Sequence, residues 1–479
     1  MMRPQAFIVA GMACLTLGGC ASARKPDTRL PAAFEAAQAA DAAAPPAAAL
    51  DVWWTQFGDA ELTGLIDQAL KASPDARAAA ARLAEARVTA SSALIAFLPQ
   101  GDAKGSTKET HTTQTSGTVI NIPGFSSNGK STADSASLNV SWEVDLFGRI
   151  FAVAKAARGD TAAARFDYES TRASLAANVA DTYFQARGLA IQLEDARQTL
   201  RIEQALQNVA DIKAQRGLGS SADADRVAGD LSQAAAQVAS LEAELKATRR
   251  TLLVLVGRGA EPLANLPVDA TVGVIPEVPV SIPGALLARR PDVREAEAKV
   301  MSAAGRKDYA RLAFFPTFTL TPGIGLSKSE QPGYSSGTRN WSIGAAVSQP
   351  ILSIPKLLVD LKTQDARTEQ AVIAYEKAVQ TAYGEADNAL VRLDSDRRRV
   401  DELSGGERRA GRAYEASRVR YAAGLDDLSS ALSAEQSWRS VRSQLTAAQV
   451  QALRRAVQTY KALGGGWPSS TVRTLKEAR

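Results

Sequence analysis

The sequence predicts a mixed α and β fold that is mostly helical and consists of two similar halves. The first observation is a repeat, because residues 70–77 resemble residues 287–294, with Pro74 aligned on Pro291 without a gap. The second is a pair of long proline-free tracts with helical periodicity. The third is a set of segments in which apolar and polar residues alternate strictly. Each half is therefore predicted to contain a helix, a β-hairpin and a long helical hairpin.

The composition favours long, closely packed helices over thick globular cores. Of the 479 residues, 45% are hydrophobic but only 6% are aromatic, and much of the apolar content is alanine. The formal net charge of +5 is small for this length, and the basic residues are interspersed with acidic ones. Because nucleic-acid binding requires a concentrated basic face, the sequence argues against a nucleic-acid partner.

The N-terminal residues indicate export and attachment to lipid. Residues 1–19 are predicted to be a lipoprotein signal peptide, with an apolar stretch too short to span a bilayer. The run Leu-Gly-Gly-Cys that ends at Cys20 resembles a bacterial lipobox, so Cys20 is the predicted lipidation site. An ordinary cleaved signal with an incidental cysteine is the alternative. Residues 20–50, rich in Ala, Pro and Asp, are predicted to form a lipidated N-terminal tether.

The repeat divides the rest of the chain into two structural units and a tail. The first unit is predicted over residues 51–258 and the second over residues 259–467. The predicted β-hairpins lie at about 102–148 and 313–352, the long helical hairpins at about 149–258 and 356–463, and the tail at 468–479.

The clearest strand directly precedes the first long helix. Its apolar residues are Leu138, Val140, Trp142, Val144 and Leu146, and its polar residues are Asn139, Ser141, Glu143 and Asp145. In a soluble protein this alternation means a core on one side and water on the other. In a transmembrane barrel it means lipid outside and an aqueous lumen inside. The four polar residues are therefore candidate lumen-facing residues, with a subunit interface as the alternative for Glu143 and Asp145.

Four strands in two hairpins are too few to close a barrel on their own. Outer-membrane barrels begin at about eight strands. Open sheet edges cannot face lipid, because their backbone groups would stay unpaired in hydrocarbon. If the strands span a membrane, other subunits must supply the rest of the barrel.

The two proline-free tracts predict helices of unusual length. No proline occurs in residues 124–261 or 356–467. A helix of more than about 60 residues approaches 100 Å, which is far longer than a globular domain needs. Each tract breaks near its middle, at 217–220 and 422–425, so two antiparallel helical hairpins are expected. A cytoplasmic coiled-coil rod is the alternative, and the intervening amphipathic strands argue against it.

Three motifs stand out: Trp53-Trp54, the run Trp-Glu-Val-Asp-Leu-Phe-Gly-Arg at 142–149, and Leu-Gly-Gly-Gly-Trp at 463–467. Together they resemble the TolC-like outer-membrane efflux proteins, especially the OprM and NodT type of lipoprotein in RND tripartite efflux systems. The resemblance covers essentially the whole chain after the predicted signal peptide. Two positions depart from the family pattern: Ser433, where relatives often carry an acid, and Phe151, where they commonly carry an arginine.

The resemblance implies a homotrimer in the outer membrane of a Gram-negative bacterium, extending into the periplasm. Each chain would give four strands to one transmembrane, twelve-stranded β-barrel, continued below by a long α-helical tunnel. The implied partners are a periplasmic adaptor, an inner-membrane RND pump and outer-membrane lipid, and no cofactor is implied. The implied function is an exit duct for drugs or other small toxic compounds.

The resemblance also implies that the two helical turns close the periplasmic tip of the tunnel. An acidic ring there would attract cations and pair with arginine. The alternative is that the aspartates solvate the turn or cap the returning helix. The candidate residues are Arg420, Tyr421, Gly424, Asp426 and Asp427 in the second turn, and Arg216, Gly217, Gly219 and Ser220 in the first.

The sequence offers no catalytic constellation and no metal site. Beyond the predicted signal peptide there is one histidine, His111, and one cysteine, Cys20. These two residues cannot build a His/Cys metal site or a catalytic triad, so no enzymatic activity is expected. Two other functions remain open: a duct for type I protein secretion, and a non-conducting lipoprotein scaffold that bridges the envelope layers.

Overall fold

The structure is a computed structural model of the single chain. The predicted signal peptide, Cys20 and the tail at 468–479 lie outside the residues that it describes. Those residues are 26–35, 48–113, 115–116, 129–217, 220–278, 283–331, 333–423, 425–426 and 428–466.

Two successive sets of elements make up the chain. The first set contains α1 (Ala48–Asp51), a 3₁₀ turn (Trp53–Phe57), α2 (Ala60–Ala72), α3 (Pro74–Ile95), β1 (Gln100–Thr112), β2 (Gly129–Val144), α4 (Arg149–Gln215) and α5 (Ser221–Leu255). The second set contains a 3₁₀ turn (Leu263–Asn265), α6 (Gly284–Arg289), α7 (Pro291–Leu312), β3 (Thr317–Gln331), β4 (Tyr334–Ser348), α8 (Ile354–Ala422) and α9 (Leu428–Ala462).

Among the described residues, no helix has an apolar stretch long enough to cross a bilayer.

The two sets correspond closely in length and spacing. Helices α3 and α7 both have 22 residues, and both begin with a proline, whose fixed φ suits the first helical position. Helices α4 and α8 have 67 and 69 residues, and α5 and α9 have 35 each. Ser73 directly precedes α3, but its side chain makes no capping hydrogen bond.

The four strands form one antiparallel sheet in the order β1-β2-β3-β4. The two hairpins are joined because β2 pairs with β3, and β1 and β4 are left as the edges. The Gly/Ser-rich segment before Trp341 belongs to this sheet, because β3 extends to Gln331 and β4 begins at Tyr334. Its small residues pair regularly across the hairpin, and Gln331 lies opposite Tyr334.

The main hydrophobic core lies halfway along the long helices. Trp53 is almost completely buried and stacks on Tyr460 of α9, with a distance of 5.6 Å between ring centroids. Phe57 contacts Phe184 of α4 at 5.0 Å. The paired tryptophans at 53 and 54 therefore anchor the start of the first unit between α4 and α9.

Part of the predicted N-terminal tether is packed against this middle region. The side chain of Phe34 is fully buried and stacks on Tyr383 of α8 at 5.6 Å. It belongs to the same buried cluster as Leu463, and Leu30 packs against the cluster that contains Val293 of α7. The expectation of a free tether over residues 20–50 is corrected for residues 26–35. One fully buried aromatic ring outweighs the disorder that the surrounding Ala/Pro-rich composition suggests.

Helices α4 and α7 cross at unusually short distance just below the sheet. A Cβ added to Gly159 would lie 2.5 Å from the backbone nitrogen of Ser302. A Cβ added to Gly305 would lie 2.8 Å from Cα of Ala156. Since real side chains do not tolerate such distances, only glycine allows the two helices to pack at this crossing.

Candidate functional site

The sheet has an apolar face and a polar face. Cross-strand partners share a face, and in the observed register Leu138 lies opposite Ile324, which lies opposite Trp341. Five rows of the sheet continue this apolar face. Their members are Val144, Phe318 and Val347; Trp142, Leu320 and Ala345; Pro322 and Ile343, at the level of Val140; Leu138, Ile324 and Trp341; and Ala136 and Leu326.

The height of the apolar face matches the hydrocarbon core of an outer membrane. Rows on one face are about 6.7 Å apart along a strand. With the usual strand tilt of about 40°, five rows with their side chains cover roughly 25 Å, the height of the lipid-facing band of outer-membrane barrels. Beyond the fifth row, charged side chains such as Asp134 and Lys328 replace the apolar ones on this face.

The polar face carries three of the four candidate lumen residues. Asn139 lies opposite Gly323, and Glu143 lies opposite Thr319. Ser141 lies opposite Gln100 of β1. Small or uncharged side chains dominate this face, and that it faces the lumen stays a prediction.

Asp145 belongs to the helix rather than to the strand. Strand β2 ends at Val144, and the Asp145 carboxylate accepts hydrogen bonds of 2.8 to 3.3 Å from the backbone N–H groups of residues 147–150. These groups lie at the N-terminus of α4, where backbone donors lack partners within the helix. The assignment of Asp145 to the strand is therefore corrected, because the alternation of residue types continues past the last paired residue.

The segment between β2 and α4 determines the direction in which α4 leaves the sheet. Burial by itself raises the pKa of the Asp145 carboxyl, but the N–H donors outweigh it and hold this pKa below its ordinary value. Glu143 accepts a hydrogen bond from Nη1 of Arg149 at 2.9 Å. Gly148 turns the chain with a φ of 84°, a conformation that only glycine adopts without strain.

Aromatic side chains line the helix side of the apolar face. Phe147 stacks on Phe315 with a centroid distance of 4.8 Å. Nε1 of Trp142 donates a hydrogen bond to the carbonyl oxygen of Phe97 at 3.1 Å. Rings with one polar edge suit a membrane–water boundary, so this end of the sheet has the character of a membrane interface.

The first helical turn is closed by backbone geometry and a cap. Gly217 has a φ of 68°, which ends α4 in a left-handed conformation. The Ser220 hydroxyl accepts a hydrogen bond from the N–H of Ala222 at 3.1 Å and so caps α5. Arg216 lies at the end of α4 with an exposed side chain, and Gly219 lies outside the described residues.

The second helical turn contains one of the predicted ion pairs. Nε of Arg420 lies 3.5 Å from Oδ2 of Asp426. Between them, the N–H of Leu425 donates to the carbonyl oxygen of Arg420 at 2.9 Å. The backbone of Tyr421 belongs to α8, but its side chain, like Gly424 and Asp427, lies outside the described part of the chain.

Two ion pairs that the sequence did not reveal connect the two helical hairpins. Arg442 of α9 lies 3.0 Å from Asp195 of α4, and Arg454 of α9 binds Asp181 with two hydrogen bonds of 2.8 Å. Burial raises the pKa of the Asp195 carboxyl, although Arg442 partly lowers it. Of the ion pairs found between α4 and α9 in the described residues, the one at Asp195 lies nearer the turns.

Among the described residues, no group of three or more His, Cys, Asp or Glu residues is placed to hold a metal ion. His111 lies in β1 with an exposed side chain.

Comparison with known proteins identifies both halves of the chain. The family model of the outer membrane efflux protein matches residues 65–258 and 282–465. The pyoverdine export outer membrane protein OpmQ of Pseudomonas aeruginosa is 30% identical over 463 residues, which are 95% of this chain and 96% of that protein. The cation efflux system protein CusC of Escherichia coli is 28% identical over 87% of this chain and 88% of its own length.

Solved structures show the same fold. The outer-membrane channel OprN superposes with a TM-score of 0.76 at 27% identity, covering 94% of this chain and all of the OprN chain. A structure of CusC gives a TM-score of 0.76 at 25% identity and covers 92% of this chain.

These matches confirm the fold class, the location and the general function predicted from the sequence. The fold is mostly helical, with four strands per chain that contribute to a trimeric transmembrane barrel continued by long helices. The protein is located in the outer membrane and extends into the periplasm, where it serves as an exit duct for efflux. Channels of this kind are trimeric and work with an adaptor and an RND pump. The chain belongs to the outer membrane efflux protein family.

Proposed function

We propose that three copies of this chain form a passive duct that exports small toxic compounds delivered by an RND pump and a periplasmic adaptor. The observation that carries this proposal is the continuity between a two-faced sheet and two helices of 67 and 69 residues. The sheet offers an apolar face of membrane height, and the helices extend it by about 100 Å. Such a molecule connects the outer surface with the depth of the periplasm.

The polar face of the sheet forms the wall of the duct in this proposal. Asn139, Ser141 and Glu143 would face the lumen, together with glycine and serine residues of the neighbouring strands. Small hydrated side chains give a passing compound little apolar surface to adhere to. The wall would conduct without selecting, and the choice of cargo would lie with the pump.

The helical turns form the gate in this proposal. Repeated three times around the axis, the Arg420–Asp426 pair would hold the second turn in the shape that narrows the tip. In the first turn, the Ser220 cap and the left-handed conformation of Gly217 would hold the backbone in the corresponding shape. Tyr421, Gly424, Asp427, Gly219 and Arg216 complete the candidate tip residues.

The cargo is proposed as a class only. The names of similar proteins refer to pyoverdine, toluene, antibiotics and cations, so they point to no single compound. No enzymatic step is part of the proposal. Cys20 is proposed as the acylated residue, from which the packed segment 26–35 descends along α8.

Two measurements test the duct directly. The first is planar-bilayer conductance of the purified lipidated protein, with its mass determined by light scattering. A trimer with low, cation-preferring conductance supports the duct with a nearly closed tip. A monomer, or a trimer that does not conduct even with substitutions at the tip, would favour the scaffold instead.

The second measurement is export from cells that lack the gene. Loss of resistance to small compounds that returns with the wild-type gene supports efflux. Unchanged resistance together with loss of a secreted protein would instead assign the duct to type I secretion. Unchanged export of both kinds of cargo would contradict the duct.

A further inference from the structure

Arg339 is a charged side chain placed at the upper edge of the apolar face. In β4 it lies opposite Leu326, which belongs to the fifth apolar row. Trp341, two residues further along the same face, is 79% exposed. The Arg339 side chain is also exposed. In a bilayer, an arginine at this position can lay its apolar stem against lipid and place its guanidinium at the level where hydrocarbon ends.

Arg339 marks the end of the apolar rows, but it does not mark the end of strand β4. From this row β3 continues to Gln331, and β4 returns from Tyr334, five residues further from the helices than Arg339 and Leu326. At about 3.4 Å per residue, the hairpin extends roughly 17 Å beyond Arg339 before tilt is considered. Arg339 therefore lies near the outer surface of the bilayer and well below the mouth of the barrel.

On the apolar face of the sheet, the neighbouring charges leave Arg339 as the cation available at this level among the described residues. In the next row Lys328 lies opposite Asp134, and it forms an ion pair with Glu330. Arg339 forms no ion pair with any other residue that the structure describes. Glu109 on β1 lies on the same face two rows further out and forms an ion pair with Lys130 of its own chain at 2.7 Å. It is the acid on this face of β1 that an adjacent protomer could offer across the barrel seam.

We propose that Arg339 binds a phosphate group of a phosphorylated glycolipid of the outer leaflet, of the lipid A class, once in each protomer. A guanidinium matches the geometry of a phosphate with two parallel hydrogen bonds. At the edge of hydrocarbon this attraction is screened less than in water. The proposal rests on the position of the sheet in the outer membrane and does not depend on which compounds the duct carries.

The binding is tested by following thermal dissociation of the purified trimer in detergent while lipid A is added. Two forms of the lipid are compared, one with both phosphates and one after dephosphorylation. The phosphorylated form should stabilise the wild-type trimer at lower concentration. Arg339→Gln should raise the concentration needed by about fivefold, the effect of one basic residue at a lipid surface.

Two variants serve as controls. Arg339→Lys keeps the charge and should retain most of the response. Lys104→Gln removes a cation from the polar face at nearly the same height, because Lys104 lies opposite Ser137, and it should bind lipid A like the wild type. Single-channel conductance of Arg339→Gln should be unchanged, which separates lipid binding from the duct function.

Three outcomes would overturn the proposal. The two forms of lipid A would stabilise the wild-type trimer equally, or Arg339→Gln would respond like Lys104→Gln. The third is an ion pair with Glu109 of the adjacent protomer. In that case Arg339→Gln would weaken the trimer without lipid and leave its response to lipid A unchanged. If Arg339→Gln does not assemble, two results still test the proposal: the response of Arg339→Lys, and the comparison of the two forms of lipid A on the wild type.

Discussion

Removing the ion pair at the second helical turn should open the tip. The perturbation is Asp426→Ala, which leaves the Arg420 guanidinium without this partner. The two side chains are 62% and 26% exposed and their charged atoms are 3.5 Å apart. A pair of this exposure contributes about 0.5 kcal/mol.

The trimer multiplies this small effect. If the pair holds the tip closed as proposed, three equivalent pairs would contribute about 1.5 kcal/mol to the closed state, which corresponds to about tenfold in the ratio of open to closed channels. Asp426→Ala should therefore raise the open fraction about tenfold. The variant should also lose cation preference, because three unpaired arginines would then surround the axis.

Single-channel recording in planar bilayers measures both effects. At about 1 M salt the screening length is only 3 Å, so the wild type should approach the variant there, and the difference should be largest in dilute salt. Arg418→Gln is the matched control, since it breaks the Arg418–Glu415 pair within α8, two residues before Arg420, and should leave conductance unchanged. The reversed pair Arg420→Asp with Asp426→Arg should restore the closed tip.

If Asp426→Ala conducts like the wild type in dilute salt, the Arg420–Asp426 pair does not hold the tip closed. If Arg418→Gln opens the channel equally, the effect comes from general loss of charge near the turn.

Three further substitutions test the parts that hold the duct together. Asp145→Asn should lower the free energy of unfolding by about 1–2 kcal/mol at neutral pH. Because the folded-state pKa of Asp145 is lowered from its unfolded value near 3.8, its stabilisation is present above that value and disappears as the pH falls through the folded pKa. Urea denaturation at pH 7 and pH 3 should show this difference shrinking. Gly305→Ala should reduce the yield of folded trimer through about 1–3 kcal/mol of overpacking, whereas Gly384→Ala, with open space around its Cβ, should not. Phe34→Ala should lower the free energy of unfolding by about 3–5 kcal/mol and expose the N-terminal segment to limited proteolysis. Unchanged resistance to the protease would contradict the packing of Phe34.

The repeated elements could be predicted because their signals are local. Pro74 and Pro291 mark the first residues of α3 and α7, and helical periodicity without proline carries α4 and α8 through more than 60 residues each. The two faces of the strands could also be predicted, because side chains alternate between the faces of a strand. Once Leu138 and Trp142 lie on the apolar face, the face of every other residue in the strand is determined.

The predictions were wrong or incomplete where contacts with distant residues or the backbone geometry determine the structure. Asp145 continues the alternation of residue types, but the chain turns at Gly148 and converts it into a helix cap. Phe34 is a single aromatic in an Ala/Pro-rich segment, and its burial depends on Tyr383, almost 350 residues away. The pair of Asp195 and Arg442 likewise joins helices from different halves, which periodicity within one helix cannot reveal.

Three chains, each made of two related halves, surround the axis with six sectors that alternate in kind. At the periplasmic end, a turn capped by Ser220 alternates with a turn braced by Arg420 and Asp426. A ring of six identical partner subunits would therefore meet two chemically different surfaces in turn, and its binding curve would resolve two affinities. A partner that contributes one copy for each chain would bind with a single affinity, so the shape of that curve reports the stoichiometry of the assembly.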